Sequence, residues 1–231
     1  MLQVNQLIGF GAGESGAVPT MRGTPTVAQG NPTTTRTIAH TVDAANRNCL
    51  IVRLGFLDTG VSTAVVSGIT WNGTALTRAA EGKNTSGAAN SYVGAIWYLV
   101  APEVGAFNVV VTYSVDVEVD YVRCENWQDV NPTTPIGGTA VDARAVTDTV
   151  YTANVAKTKT LSLVLGALLS NNTETGTPGT NVTEEVDVSV TGGTVGARAW
   201  LAKNTANGNM SVTLGASNAA GLAAAELNGD A

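Results

Sequence analysis

The sequence predicts an all-β protein built as an antiparallel sandwich, and three observations lead there. Short runs rich in Val, Ile, Leu, Tyr and Thr alternate with clusters of Gly, Asn, Pro and Ser, at the 8–12-residue spacing typical of sandwiches. Helical periodicity is nearly absent. Only 13% of residues are charged, about half the usual ~25%. Surface polarity therefore falls to Thr, Ser, Asn and Gly, which suit strands and turns better than helix surfaces.

The elements run in order. Residues 34–42 read as a mixed strand and 48–57 as a central strand, apolar almost throughout. Residues 64–71 lead into Asn72-Gly73, a type I′ hairpin signal because both turn residues need positive φ, and 74–81 return. Residues 91–100 form a second central strand, stopped by Pro102; 106–114 and 117–127 alternate with period two. A Pro-containing connection at 129–138 reads as a crossover inside one domain. Beyond it come 147–155, a strong strand at 160–169, a polar loop at 170–181, then 182–190, 194–203 and 209–215. Residues 221–227 (GLAAAEL) close the series, with a helical turn as the alternative, since Ala, Glu and Leu favour one.

Residues 11–33 are rich in Gly, Pro, Thr and Ala and show no periodicity, so they read as an extended arm. The division is thus an arm over 1–33, with Leu7, Ile8 and Phe10 as a competing first strand, and a single sandwich over 34–231. At 231 residues the chain buries roughly 70% of its unfolded surface, enough to fold without metal or disulfide.

Charge excludes several partners. The net charge is -6, and the twelve Lys and Arg are scattered. A nucleic-acid groove needs basic residues on one face to displace counterions, and an anionic membrane repels this balance. The start of the chain lacks a signal peptide's positive region and apolar core. Two cysteines, Cys49 and Cys124, are too few for a disulfide scaffold and read as buried thiols, their pairing left open.

Chemistry-bearing patterns are sparse. Gly11, Gly13 and Gly16 match a dinucleotide-loop spacing, but residues 17–30 (AVPTMRGTPTVAQG) cannot form the helix such a loop needs, so the run reads as a turn. The single histidine, His40, sits in a strand without a nucleophile at triad spacing. Asp116, Glu118 and Asp120 alternate with Val117, Val119 and Tyr121, so a strand would place all three acids on one face. They are the one candidate cation site, weighed against a solvated acidic edge. Glu184, Glu185 and Asp187 form a weaker group. Trp71, Trp97 and Trp200 read as core anchors, while Trp127, between Asn126 and Gln128, is the candidate sugar contact. Asn72, Asn84 and Asn181 begin glycosylation sequons that a Thr- and Asn-rich chain produces by chance. No catalytic residue and no cofactor is expected, and the chain reads as not an enzyme.

Residues 34–136 carry a resemblance: Leu50-Ile51-Val52-Arg53-Leu54-Gly55-Phe56, then Ile69-Thr70-Trp71-Asn72-Gly73-Thr74-Ala75-Leu76-Thr77, Ile96-Trp97-Tyr98-Leu99-Val100-Ala101-Pro102 and Gly105-Ala106-Phe107-Asn108-Val109-Val110-Val111-Thr112, closed by Pro135-Ile136. The pattern resembles jelly-roll-like β-sandwich modules of tailed-phage virion proteins, of the capsid-decorating and head-fibre type. The resemblance implies a structural protein of the virion surface, made in the host cytoplasm, docking on other virion proteins such as the major capsid protein and self-associating. It brings no catalytic residues. The alternative is a carbohydrate- or receptor-binding module of a phage fibre or bacterial surface. On a particle the 11–33 segment would gain order on a neighbour.

Overall fold

The computed structural model describes residues 16–31, 34–60, 63–84, 90–144, 147–171, 174–192 and 195–229. Leu7, Ile8, Phe10, Gly11 and Gly13 lie outside the described residues. Every regular element among the described residues is a strand: β1 (Thr20–Gly30), β2 (Thr35–Val42), β3 (Cys49–Asp58), β4 (Val66–Trp71), β5 (Thr74–Ala75), β6 (Thr77–Asn84), β7 (Ser91–Val100), β8 (Gly105–Tyr113), β9 (Val119–Gln128), β10 (Ile136–Ala143), β11 (Asp148–Asn154), β12 (Ser162–Ser170), β13 (Gly176–Pro178), β14 (Val182–Gly192), β15 (Val195–Asn204), β16 (Asn209–Asn218) and β17 (Ala220–Asn228). All pairings are antiparallel.

The strands form four sheets, β1-β9-β3-β7-β6 with β2-β8-β4-β5, and β10-β17-β12-β15-β14 with β11-β16-β13. In each pair the first strand lies beside the last and the last beside the third, while the second lies beside the second-to-last: this is the jelly-roll order. The same topology occurs twice, and the second copy lacks only a counterpart of β5. Where the sequence predicts one sandwich over 34–231, the chain folds as two. The 129–138 link joins them. It is stapled to the end of β17 by Asn131 N–H to Asn228 C=O (2.9 Å) and Asn228 N–H to Pro135 C=O (2.9 Å).

The two jelly rolls stack through their five-stranded sheets. β1 faces β14 and β6 faces β10, the exchange that a two-fold axis would produce. The apolar layers are therefore three. One fills the first jelly roll (Leu50, Val52, Leu54, Phe56, Trp71, Trp97) and one the second (Tyr151, Val164, Leu168, Trp200, Met210). The third lies between the two and draws Ile51, Leu57, Ile96 and Trp127 against Leu165, Leu169, Leu201 and Leu227. This explains why β3 and β12 are buried along their whole length, as their unbroken apolar runs predict.

It also explains β17. Residues 221–227, open in the sequence between a strand and a helical turn, are a fully buried central strand. The two stacked backbones come so close that a Cβ on Gly82 would sit 2.0 Å from Leu222 C=O, and one on Gly94 would sit 2.2 Å from Ala167 C=O. Only Gly fits at those two positions, and β17 meets them with Gly221 and the backbone of Leu222 and Ala223. The Ala-rich composition serves sheet packing and overrides helix propensity. The segment expected as a free arm is corrected as well: Thr20–Gly30 is β1, hydrogen-bonded to β9 at the sheet edge. Its Gly and Pro reside in a bulge between Arg22 and Thr26, which hides the strand's period. The hairpin signal is met: Asn72 and Gly73 have φ of 44° and 81° between β4 and β5.

Candidate functional site

The predicted site residues do not come together. β9 begins at Val119, so Asp116 and Glu118 precede the strand and the three acids share no face. Asp116 is exposed. Glu118 accepts from the Thr59 backbone and hydroxyl. Asp120 is buried, pairing with Arg36 (2.5 and 3.1 Å) and accepting from Tyr113 O–H at 2.7 Å. Among the described residues no His, Cys, Asp and Glu gather as a metal-ligand set. The later acids are structural too. Glu184 accepts from Trp200 Nε1, Asp187 pairs with Arg198, and Glu185 enters an ion cluster between the jelly rolls.

Trp127 is no sugar platform. It is 2% exposed in the inter-sandwich core, its indole donating to Glu125 Oε2 at 3.0 Å. Its polar neighbours Asn126 and Gln128 point to the opposite face, because strand side chains alternate. The same alternation separates the cysteines. Cys49 faces the inter-sandwich core and Cys124 the first jelly roll's interior, both as free thiols. Burial pushes the Cys49 thiol up to about 12.

Between the jelly rolls lies a buried ion cluster that the sequence does not reveal. Arg53 on β3 is fully buried and pairs with Glu125 on β9 and with Glu185 on β14 (2.6 Å). Arg123 joins Glu125 at 2.7 Å and Lys203 joins Glu185 at 3.3 Å. Arg53 also donates to Ala202 C=O at 3.0 Å. Burial works against the Arg53 charge, but the two glutamates outweigh it and its pKa rises. Burial also opposes the Glu185 charge, but the Arg53 charge and hydrogen bond, with the Lys203 and Arg123 charges, together outweigh it, so the Glu185 pKa falls.

The candidate site is a groove of about 760 Å³ on the first jelly roll. Its lining comes from four strands and a turn: Gly23, Thr24 and Thr26 of β1, Ala39, His40 and Thr41 of β2, Asn72 and Gly73 of the turn, Ala106 to Asn108 and Val110 of β8, and Asn126 of β9, with Asp43 at one end. The β1 bulge creates the wall on one side, Gly23 taking φ +65° to turn the chain there.

His40 stands at the centre of this wall. Asn126 Nδ2 donates to Thr41 C=O at 2.8 Å, so its Oδ1 faces His40 Nε2 at 3.0 Å. The acceptor requires Nε2–H, which leaves Nδ1 to accept from Thr26 O–H at 2.8 Å. Burial lowers the His40 pKa, with the Asn126 bond only partly opposing it. The ring is thus a neutral connector tying β1, β2 and β9, with both nitrogens occupied. Trp71 packs edge-on to His40 at 5.9 Å and to Phe107 at 5.5 Å, stiffening the groove from behind. Among the described residues no Lys or Arg lines it. Nothing in the sequence brings His40 together with Thr26, Trp71 or Asn126, the last 86 residues away along the chain.

Comparison of the chain with family models, curated proteins and solved structures finds no match.

Proposed function

We propose that the chain is a non-enzymatic structural protein of a virion surface, docking on other virion proteins such as a major capsid protein and on further copies of itself. The observation that carries this reading is the fusion of two jelly rolls into one four-layer block, held by apolar packing and buried ion pairs. Such a block is rigid and presents an outward sheet at each end. Among the described residues, seven charged ones (Arg53, Asp58, Asp120, Arg123, Glu125, Asp142, Glu226) are buried, so a charge-poor chain exposes fewer charges still. A Thr- and Asn-rich exterior can dock with little charge desolvation. The occupied ring nitrogens of His40 also favour a non-catalytic role.

Antibodies raised against the purified chain provide the test. They should label intact particles banded on a density gradient from cells that make the protein. Recovery in the soluble fraction alone, with particles unlabelled, would overturn the assignment. Light scattering of the purified chain at rising concentration reads the self-association.

A further inference from the structure

We propose that the groove beside His40 binds a neutral glycan, a chain of uncharged hexose units. This goes beyond the particle assignment and does not rest on it.

The lining selects the ligand class. Three amides line it, Asn72 of the turn, its Nδ2 donating to Glu103 Oε2 at 2.8 Å, and Asn108 and Asn126 of two strands, with the hydroxyls of Thr24, Thr26 and Thr41. Amides and hydroxyls both donate and accept, which is what adjacent sugar hydroxyls require. The Asn126 and Thr26 groups are held in fixed orientation by His40. Asn108 is exposed, and its side chain has no hydrogen-bond partner among the described residues, so its full capacity faces the groove. Between these polar groups lie Ala39, Ala106 and Val110, small apolar patches suited to the C–H faces of a sugar ring.

Charge excludes the competitors. An anionic ligand, whether phosphate, nucleic acid or sulfated glycan, is favoured by a cation. The described lining holds no Lys or Arg, and its histidine is neutral. Asp43, the single acid of that lining, repels anions further. The volume falls within the roughly 300–1,000 Å³ range of small-ligand sites.

The second jelly roll carries a different set at its β10–β11 turn, where Arg144 reaches Asp142, Asp148 and Val150 C=O and lies 5.0 Å above the Tyr151 ring.

The test uses the full chain on an array of neutral oligosaccharides (gluco-, manno-, galacto- and N-acetylglucosamine series) beside sulfated and sialylated ones. Each hit is then titrated by calorimetry. The expected result is binding to one neutral series, with anionic glycans no better. Asn108→Ala should weaken it about fivefold to tenfold, the worth of one or two neutral hydrogen bonds. Ala106→Trp, on an exposed position, should abolish it by filling the groove. Both variants should melt with the parent. No binding to any neutral series at millimolar glycan overturns the proposal. So does binding unaffected by both variants, or a clear preference for anionic glycans.

Discussion

The two jelly rolls share a strand order but differ in what fills the junction between their first and second strands. In the first, β1 and β2 meet through Thr26 and His40, and the space in front stays open. In the second, Asp142 of β10 accepts from Thr152 N–H of β11 at 2.8 Å and pairs with Arg144 of the turn between them. Their interiors differ similarly. Phe56, Trp71 and Trp97 fill the first, while Ala202, Ala220 and Ala224 sit around Tyr151 and Trp200 in the second. Topology fixes where a groove can form. The residues at one sheet edge decide whether it does.

The sharpest way to break the comparison is to break the joint between the two halves. Arg53→Met leaves Glu125 and Glu185 buried without their shared partner, which costs about 3–5 kcal/mol. Because Arg53 lies between the halves, both should unfold together, in one cooperative transition at a lower denaturant midpoint. Two separated transitions would show that each jelly roll is stable alone.

Trp97→Ala probes the first jelly roll by itself. The indole is 7% exposed within that core, and its loss with the cavity left behind costs about 3 kcal/mol or more. A melting temperature equal to the parent's would contradict its place as a core anchor.

The halves should also differ in acid. In the second jelly roll, burial opposes ionisation of Glu226. Donation from Ser162 O–H and from the Gly138, Thr158 and Lys159 amides outweighs it and holds the carboxyl at about 2. The folded value lies below the ordinary 4.5, so this stability is complete above that pH and is lost as pH falls from 4.5 toward 2. In the first, His40 is held below its ordinary 6.5, so its contribution is complete above pH 6.5 and declines as pH falls through the lower folded value. Denaturant midpoints measured against pH should show two acid losses. His40→Gln should remove the one nearer neutrality and Glu226→Gln the more acidic one, the latter at about 1–3 kcal/mol of overall cost.

These contrasts show what could be read from the sequence. β3 and β12 were legible because burial on both faces leaves an uninterrupted apolar run, and the β4–β5 turn because Asn-Gly suits positive φ. β17 stayed open between strand and helical turn, because Ala in isolation favours a helix and only the facing backbone of β6 and β7 makes small residues necessary. β1 was masked by its bulge, and Asp116 and Glu118 were placed on a strand that begins only at Val119. The duplication rests on strand order, which residue types do not display. The groove draws Asn72, Asn108 and Asn126 from a turn and two strands, and spacing along the chain says nothing of such a meeting.

The smallest effect separates topology from side-chain content most directly. Arg144 is about one-third exposed, so its ion pairs with Asp142 and Asp148 are partly screened by solvent, and its stacking on Tyr151 is that of a surface cation. Arg144→Ala should therefore cost only about 1 kcal/mol, read as a small drop in melting temperature. It should also unplug the junction of β10 and β11, leaving a recess beside Asp142, Asp148 and Tyr151. If an open jelly-roll edge were enough to hold a sugar, this variant would gain a second binding event. Two carboxylates stand there in place of the first half's amide set, and they favour cations over neutral hydroxyls. Calorimetry on the variant should thus return the parent's stoichiometry and affinity for its glycan. A second equivalent of glycan would place recognition in the topology and strip the asparagines of their role.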